Sequence, residues 1–168
     1  MNLKFSIFPR NQSPGFVIYR VASKMKLGLQ RAFGANGFEI TPEQWGVMSA
    51  LWEHEGVHQS LLAARTAKDR HNVTRILNLL ERDGFIRREQ DIEDRRLQKV
   101  YVTDEGKAMK ARLVTIVTDF LQEALNGLTQ EDLEAMKRIL DTVVENVEKM
   151  SHPSIGHNPR HRRSRSVM

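Results

Sequence analysis

Residues 69–83 carry polar side chains of the types that read nucleic-acid bases. At 100° per residue the segment predicts a helix with one apolar and one polar side. The apolar side consists of Val73, Ile76, Leu77 and Leu80, and the polar side presents His71, Thr74, Arg75 and Asn78. Arginine can bond guanine through two hydrogen bonds, asparagine can do so with adenine, and threonine can contact a base edge or a thymine methyl group. We expect Arg70 and Asn72, which flank this side, to contact phosphates at the helix N-terminus. A solvated helix face is the alternative.

The charged loop at residues 91–97 is the second candidate site. It lies between two predicted strands, residues 85–90 and 98–103, the second of which alternates apolar and polar residues. An arginine inserted into a narrow DNA minor groove gains from the negative potential there. We expect Arg96 to be the inserted residue, Asp94 to orient it and Arg95 to contact a phosphate, although the two arginines could exchange roles. The alternative is a solvated turn with weak local ion pairs.

The remaining reactive side chains indicate neither an enzyme nor a metal site. The sequence contains no cysteine, which excludes a disulfide framework and thiol-based redox sensing. Four potential ligands for a divalent ion lie within six residues, namely Glu53, His54, Glu55 and His58. Gly56 interrupts the helix that would place both histidines on one face, so we interpret the cluster as a solvated helix end. We find no nucleophile–base–acid set and no phosphate-binding glycine loop, and expect no catalytic site, metal or cofactor.

Short helices must position these side chains. Thr41 and Gln44 form a predicted capping box, and Ile40 and Trp45 a hydrophobic staple, at the start of a helix whose buried face is Trp45, Met48 and Trp52. Residues 61–64 predict a second helix of about two turns, and Asp69 caps the third. Three short helices followed by a two-stranded hairpin describe a winged helix-turn-helix.

Longer helices flank this unit. An apolar stripe runs from Ile18 to Phe33 after the breaker cluster Ser13-Pro14-Gly15, and a long helix is predicted from Thr103 to Gly127. Thr129 caps a last helix in which apolar residues recur at spacings of three and four: Leu133, Met136, Leu140, Val143, Val147 and Met150. That spacing is typical of helices that pack on helices. We expect this seam to form a homodimer interface, with an intramolecular core as the alternative.

Length and charge agree with a DNA-binding protein. A chain of 168 residues suits one domain, and its net charge is +5. Residues 151–168 hold four arginines and no acid, and residues 65–99 hold ten bases and seven acids. We expect the first of these segments to be a disordered basic tail that helps binding non-specifically. No apolar run is long enough to span a membrane, and Lys4 and Arg10 break up any secretory signal, so we expect a cytoplasmic protein.

Residues 69–88, with the sequence DRHNVTRILNLLERDGFIRR, resemble the recognition helix and first wing strand of the MarR family, the multiple antibiotic resistance regulators. Residues 91–96 and 100–106 resemble that family's wing, in which an acid–arginine tip leads to a Thr-x-x-Gly helix start. The motifs cover residues 66–106, and the order of elements matches over residues 14–150. His58 and Leu61 depart from the pattern, since relatives more often have Thr and Glu there, which affects the capping of that helix.

The resemblance implies a mainly α-helical fold with a small β-hairpin wing, that is, a winged helix-turn-helix flanked by dimerisation helices. The expected parts are an N-terminal arm and dimerisation helix, the DNA-binding region, the C-terminal dimerisation helices and the basic tail, at residues 1–40, 41–103, 104–150 and 151–168. The implied function is that of a bacterial or archaeal homodimer, usually a repressor, that binds double-stranded DNA and releases it when a small, commonly aromatic ligand binds. A dimer of this kind reads a near-palindromic site.

Two questions stay open at this point. A winged helix can also serve as a protein- or RNA-docking module without a specific DNA site. Phe16, Tyr19, Trp45 and Met48 could line a ligand pocket but are explained equally well as core, so the ligand-binding residues are unknown.

Overall fold

A computed structural model describes residues 12–66 and 68–151 together with Pro9; the predicted tail lies outside these residues except for Ser151. The fold is mostly helical with one small antiparallel sheet, which confirms the predicted class. The elements in chain order are α1 (Pro14–Ala35), α2 (Pro42–Glu53), β1 (Val57–His58), α3 (Gln59–Arg65), α4 (Arg70–Arg82), β2 (Ile86–Gln90), β3 (Gln98–Val102), α5 (Asp104–Ala108), α6 (Lys110–Ala124) and α7 (Gln130–Ser151). The chain divides after Ala124 into two units, and α7 belongs to the second. None of the described helices is long and apolar enough to cross a bilayer.

The start of α1 corrects one prediction. Ser13-Pro14-Gly15 was expected to break the chain before the helix, but Ser13 is the N-cap and Pro14 the first helical residue. The Ser13 hydroxyl accepts a hydrogen bond from the Phe16 N–H at 3.3 Å. Proline suits this position because its missing N–H would have no partner in the first turn. The same residue types that end one segment can therefore begin a helix.

The capping box of α2 is confirmed. The Thr41 N–H donates to Gln44 Oε1 at 2.8 Å, and the Gln44 N–H donates to Thr41 Oγ1 at 3.1 Å. The predicted buried face is only partly right, because Met48 is fully buried whereas Trp45 and Trp52 are half-buried. Val47 and Leu51, which the prediction omitted, take the remaining core positions of this helix.

The sheet has three strands in the order β1-β3-β2, all antiparallel. The hairpin of β2 and β3 is confirmed, with Ile86 opposite Val102 and Arg88 opposite Val100. β1 was not predicted, since its two residues are too few to show a periodic pattern. It pairs Val57 with Val100 and so ties the start of α3 to the hairpin.

One core lies beneath α4 and the sheet. All four apolar side chains predicted for the buried side of α4 are buried, which leaves its opposite side free to face a partner. The largest fully buried side chains come from helices α1 to α4, the α1–α2 connection, α6 and the sheet: Phe33, Ile40, Met48, Leu51, Leu62, Ile76, Leu77, Leu80, Ile86 and Leu113. Burying such side chains contributes about 1.5–3 kcal/mol each, so this core holds α4 and the wing together.

The Thr-x-x-Gly start of α5 has a steric explanation. The Thr103 hydroxyl donates to the Gly84 carbonyl at 2.6 Å and accepts from the Gly106 N–H at 3.1 Å. A Cβ on Gly106 would lie 2.2 Å from the carbonyl oxygen of Phe85. The helix start is therefore packed directly against the backbone that precedes β2. The long helix predicted from Thr103 is divided into α5 and α6 at Met109.

The second unit contains α7, an amphipathic helix. The Asp132 N–H donates to the Thr129 hydroxyl at 3.2 Å and the Thr129 N–H donates to Asp132 Oδ2 at 2.9 Å, so the predicted Thr129 cap is present. The helix has no buried side chain among residues 130–150. Most of its predicted seam is exposed, and Ile139 and Val144 widen the apolar stripe: Met136, Ile139, Leu140, Val143, Val144, Val147 and Met150. Leu133 is half-buried.

Candidate nucleic-acid interface

The N-terminus of α4 is fixed by Asp69. Its Oδ1 accepts a hydrogen bond from the Asn72 N–H at 2.8 Å and its Oδ2 accepts one from the Asn72 side-chain amide at 2.6 Å. These bonds, the backbone one first, hold the pKa of Asp69 below its ordinary value. Asp69 is thus an ionised cap at neutral pH, as the sequence predicted, and it orients the amide of Asn72 at the helix start.

Several basic or ionisable side chains of α4 are exposed, and three of them lie in its first half. Arg70, His71 and Arg75 are all exposed, in agreement with the predicted polar face. Within the part of the chain that the structure describes, the guanidinium of Arg75 has no hydrogen-bond or ion-pair partner. A free guanidinium on an exposed helix can grip the O6 and N7 atoms of a guanine or a phosphate.

Thr74 is less available than the sequence indicated. Its hydroxyl donates to the Arg70 carbonyl at 2.8 Å and accepts a hydrogen bond from the Gln59 side-chain amide, and the residue is half-buried. The hydroxyl therefore links α3 to α4, because Gln59 is the first residue of α3. The methyl group of Thr74 is left as the group that could contact a thymine methyl.

The side chain of Asn78 accepts a hydrogen bond from an arginine of the wing. Arg88 on β2 donates through Nη2 to Asn78 Oδ1 at 2.5 Å and through Nε to Glu81 Oε2 at 3.1 Å. The Arg88 side chain is only 13% exposed, so it is a packed part of the α4–β2 contact. Arg88 was not among the predicted site residues, since an arginine at a strand position is usually solvated.

The wing tip has the arrangement that the sequence predicted for Asp94 and Arg96. Arg96 donates through Nε to Asp94 Oδ1 and through Nη2 to Asp94 Oδ2, each at 3.1 Å, and the Arg96 N–H donates to Asp94 Oδ1 at 3.0 Å. The Arg96 side chain is nevertheless 89% exposed. The Arg96 guanidinium lowers the pKa of Asp94, and Asp94 raises the pKa of Arg96. Arg95 is exposed beside it.

The base of the wing contains a cluster that sequence reasoning missed. Asp91 Oδ2 lies 2.7 Å from His58 Nε2 and 3.1 Å from Lys99 Nζ, and Oδ1 accepts the Glu93 N–H at 2.8 Å. The Asp91 side chain is only 5% exposed. Its hydrogen bonds, first with His58, then with the Glu93 N–H and Lys99, hold the pKa of Asp91 far below its ordinary value. The available signal was the unusual His58 at the start of α3.

A groove of about 360 Å³ lies between the start of α3 and the wing. His58, Gln59 and Ser60 line it from the α3 side, and Arg70 adds a positive charge from α4. The wing lines it with Gln90, Arg95, Arg96, Leu97 and Gln98. Three arginines without a carboxylate among the lining residues suit a phosphate backbone.

The four potential metal ligands at residues 53–58, interpreted from the sequence as a solvated helix end, have other partners in part. His58 faces Asp91, and Glu55 lies 3.4 Å from Lys107 Nζ in an ion pair. Over the described residues, no three histidine, aspartate or glutamate side chains gather as metal ligands. Of the four residues considered for a ligand pocket, Met48 is core, Trp45 is half-buried, and Phe16 and Tyr19 are exposed on α1.

Helices α2, α3 and α4, followed by the hairpin of β2 and β3, define a winged helix-turn-helix protein. Comparison with known proteins agrees. Residues 38–97 match the sequence model of the MarR family. The HTH-type transcriptional regulator TtmR of Methylorubrum extorquens (strain PA1) is 30% identical over 105 residues, which are 62% of this chain and 51% of TtmR. The chain thus spans about half the length of that relative.

Solved structures have the same fold. A probable transcriptional regulator from Pseudomonas aeruginosa superimposes with a TM-score of 0.74 at 21% identity, covering 80% of this chain and 99% of that one. The PcaV transcriptional regulator from Streptomyces coelicolor, solved in complex with its natural ligand, gives a TM-score of 0.74 at 22% identity over 88% of this chain and 99% of that one. The chain therefore resembles the MarR family in sequence over residues 38–97 and shares the fold of these solved regulators over most of its length. Its curated relatives, TtmR among them, are named as transcriptional regulators.

Proposed function

We propose that the protein is a homodimeric, sequence-specific regulator that inserts α4 into the DNA major groove. The observation that carries this proposal is the exposed guanidinium of Arg75, which has no partner among the described residues. Other polar side chains of the same helix, such as Asn72, Thr74 and Asn78, are hydrogen-bonded. A buried apolar side holds α4 on the core and leaves Arg75 free to read a base. His71 and the methyl group of Thr74 lie on the same side of the helix.

The wing supplies the second contact in this proposal. Asp94 holds Arg96 in a two-bond fork while leaving it 89% exposed, so that Arg96 is oriented before it meets DNA. An arginine oriented in this way suits the narrow minor groove. Arg70, Asn72 and Arg95 lie beside these groups and are assigned to phosphates, which fix position without reading sequence.

A second copy of the chain is the proposed partner of α7. The seam of Leu133, Met136, Leu140, Val143 and Val147 repeats at intervals of three and four residues, and most of it is exposed in the single chain. Exposed apolar stripes of this kind mark interaction surfaces. Helix-turn-helix dimers read two half-sites about one DNA turn apart, ~34–36 Å, so a homodimer would select a near-palindromic operator.

We further propose that the protein is a repressor released by a small aromatic ligand. The support is the match of residues 38–97 to the MarR sequence model and the likeness of its fold to PcaV, which was solved with its natural ligand. We also propose that the protein is cytoplasmic, because the DNA of a bacterium or archaeon lies in the cytoplasm. A screen of aromatic acids and phenols by thermal shift would find ligands, because a ligand that binds the folded state raises Tm by mass action. A hit should also release operator DNA.

Selection from a randomised DNA library tests the central proposal. The full chain should enrich a near-palindromic sequence, and its affinity for that sequence should fall steeply with salt while its preference over random DNA persists. Sedimentation of the complex should give two chains per operator. Enrichment of no sequence at any salt concentration would instead favour a protein- or RNA-docking module.

A further inference from the structure

We propose that His58 and Asp91 are positioning residues for DNA binding, because their contact fixes the wing arginines relative to the start of α3. This inference rests on the proposed function, in which the wing tip enters the minor groove. Neither residue needs to touch DNA. Their contribution is to hold Arg96 in the position from which it can enter the DNA minor groove.

Asp91 determines the shape of the wing at its base. Its N–H donates to the Leu97 carbonyl at 3.0 Å, which closes the loop between the two strands. Its Oδ1 accepts the Glu93 N–H, which turns the chain toward Asp94. A carboxylate that is 5% exposed and bonded on both oxygens has one orientation, because any other would leave a buried charge without partners. The loop that carries Asp94 and Arg96 therefore starts from a fixed point.

His58 connects that fixed point to the helix-turn-helix. It is the N-cap residue of α3, yet its side chain makes no capping hydrogen bond. The imidazole Nε2 instead lies 2.7 Å from Asp91 Oδ2. A threonine or serine at this position could cap α3 but is too short to offer the same reach. With histidine in place of the threonine that relatives more often have, α3 lacks a side-chain cap but gains a contact with the wing.

Lys99 does not make this contact redundant. Its Nζ lies 3.1 Å from the same Asp91 oxygen. Lys99 belongs to β3, however, so this contact connects only parts of the hairpin and its loop. His58 stands opposite Lys99 in the β1–β3 pairing and begins the segment that leads into α3. The His58 side chain thus adds to the backbone pairing of β1 a direct link between α3 and the wing loop.

The groove beside His58 shows what this link positions. His58 lines it together with Arg70 of α4 and with Arg95 and Arg96 of the wing. If the wing moved relative to α3, the spacing between these arginines would change. A phosphate backbone has fixed charge spacing, so affinity depends on the arginines already having matching positions.

A double-mutant cycle in DNA affinity tests the proposal, with the full chain and its selected operator. R96A should weaken binding about tenfold in the wild-type background. In the H58A background the same change should weaken it no more than about twofold, because a mobile wing no longer presents Arg96. His58→Gln should restore the coupling, since its amide can still donate to Asp91. His54→Ala is the matched control, because His54 is an exposed histidine that makes no wing contact, and it should leave the coupling intact.

The order of the wing in the protein without DNA gives a readout that does not depend on binding. The ¹⁵N relaxation of the Arg96 backbone amide should show increased motion in H58A and in Asp91→Asn, but not in His54→Ala. If H58A fails to fold, the same relaxation measurement on Asp91→Asn tests whether the contact orders the wing. Independent effects of H58A and R96A on affinity, or an equally ordered wing in both variants, would overturn the inference. If R96A alone has no effect, the wing part of the proposed function fails, and the relaxation data still decide whether His58 holds the wing.

Discussion

The guanidinium of Arg88 donates a hydrogen bond through Nη2 to Oδ1 of Asn78 at 2.5 Å. Arginine has only donors, so the amide oxygen of Asn78 faces β2 and its NH₂ group is the part left for a ligand. Two hydrogen bonds to adenine require both the oxygen and the NH₂ group. In this arrangement one lone pair of the Asn78 oxygen is already engaged, so the NH₂ donors are its more available groups, and they suit a guanine acceptor or a phosphate better than the adenine that the sequence indicated.

Asn78→Asp tests that assignment. Aspartate keeps an acceptor for Arg88 in a stronger, charge-assisted bond, but it removes the NH₂ donors. We expect the free energy of unfolding to be retained while operator affinity falls by about 1–3 kcal/mol, measured by fluorescence anisotropy. Gln130→Glu adds the same charge at the start of α7 and should bind normally. Wild-type affinity in Asn78→Asp would show that Asn78 serves only to anchor Arg88.

Arg75→Ala should remove the recognition of one base pair. We expect a loss of about 1–3 kcal/mol on the selected operator and relaxed preference at a single position, because the free guanidinium would bond a guanine through two hydrogen bonds. A panel of operators substituted at each position measures this. Arg31→Ala, an exposed arginine on α1, is the control. Equal weakening on every sequence would identify Arg75 as a phosphate contact instead.

The two wing arginines should differ in their effects. Arg96→Ala should lower affinity for all operators that share a narrow minor groove, with little change in major-groove preference. Arg95→Ala should reduce the salt slope by about 1, as expected for a phosphate contact. Salt titrations of both variants against the same operator distinguish the roles. The reverse pattern would assign the minor groove to Arg95, a possibility that the sequence left open.

Gly106→Ala should destabilise the fold. The new Cβ would lie 2.2 Å from the Phe85 carbonyl oxygen, and neither the helix start nor the strand can move freely. We expect a loss of about 1–3 kcal/mol in the free energy of unfolding. Gly46→Ala on α2 has no atom within 4 Å of its Cβ and should instead stabilise by about 0.4–1 kcal/mol. Urea unfolding at one protein concentration compares them, and equal stabilities would contradict the steric explanation.

Asp91 should make stability depend on pH in the acid range. Because its pKa is lowered in the folded state, its contribution is fully present above the pKa of an unfolded aspartate, about 3.9, and is lost as the pH falls toward the lower folded value. The difference in unfolding free energy between wild type and Asp91→Asn should therefore shrink as the pH falls below about 4. Urea unfolding across this range measures it, and a constant difference at every pH would be inconsistent with the ionised cluster.

Local patterns determined most of the elements. The capping box of Thr41 and Gln44, the cap at Asp69 and the apolar side of α4 each depend on residues within a few positions of one another, so the sequence alone predicts them. The predicted contact of Asp94 with Arg96 is of the same kind, because the two residues are only two positions apart in the sequence. The unit of three helices and a hairpin follows from the order of these signals.

Contacts between distant segments could not be predicted in this way. β1 has only two residues, and its partner Val100 lies 43 positions away, so no periodic pattern marks it. Arg88 contacts Asn78, and His58 contacts Asp91, because the core brings α4, α3 and the wing together.

The sequence by itself thus determined the helices, the hairpin and the polar side of α4, since hydrophobic periodicity and caps act over short distances. Only the tertiary structure decided which of those polar groups are free. It leaves Arg75 without a partner among the described residues, engages the hydroxyl of Thr74 and the oxygen of Asn78, and places His58 against a buried carboxylate. The physical reason is that packing between distant segments decides which hydrogen-bonding groups already have a partner and how those groups are oriented.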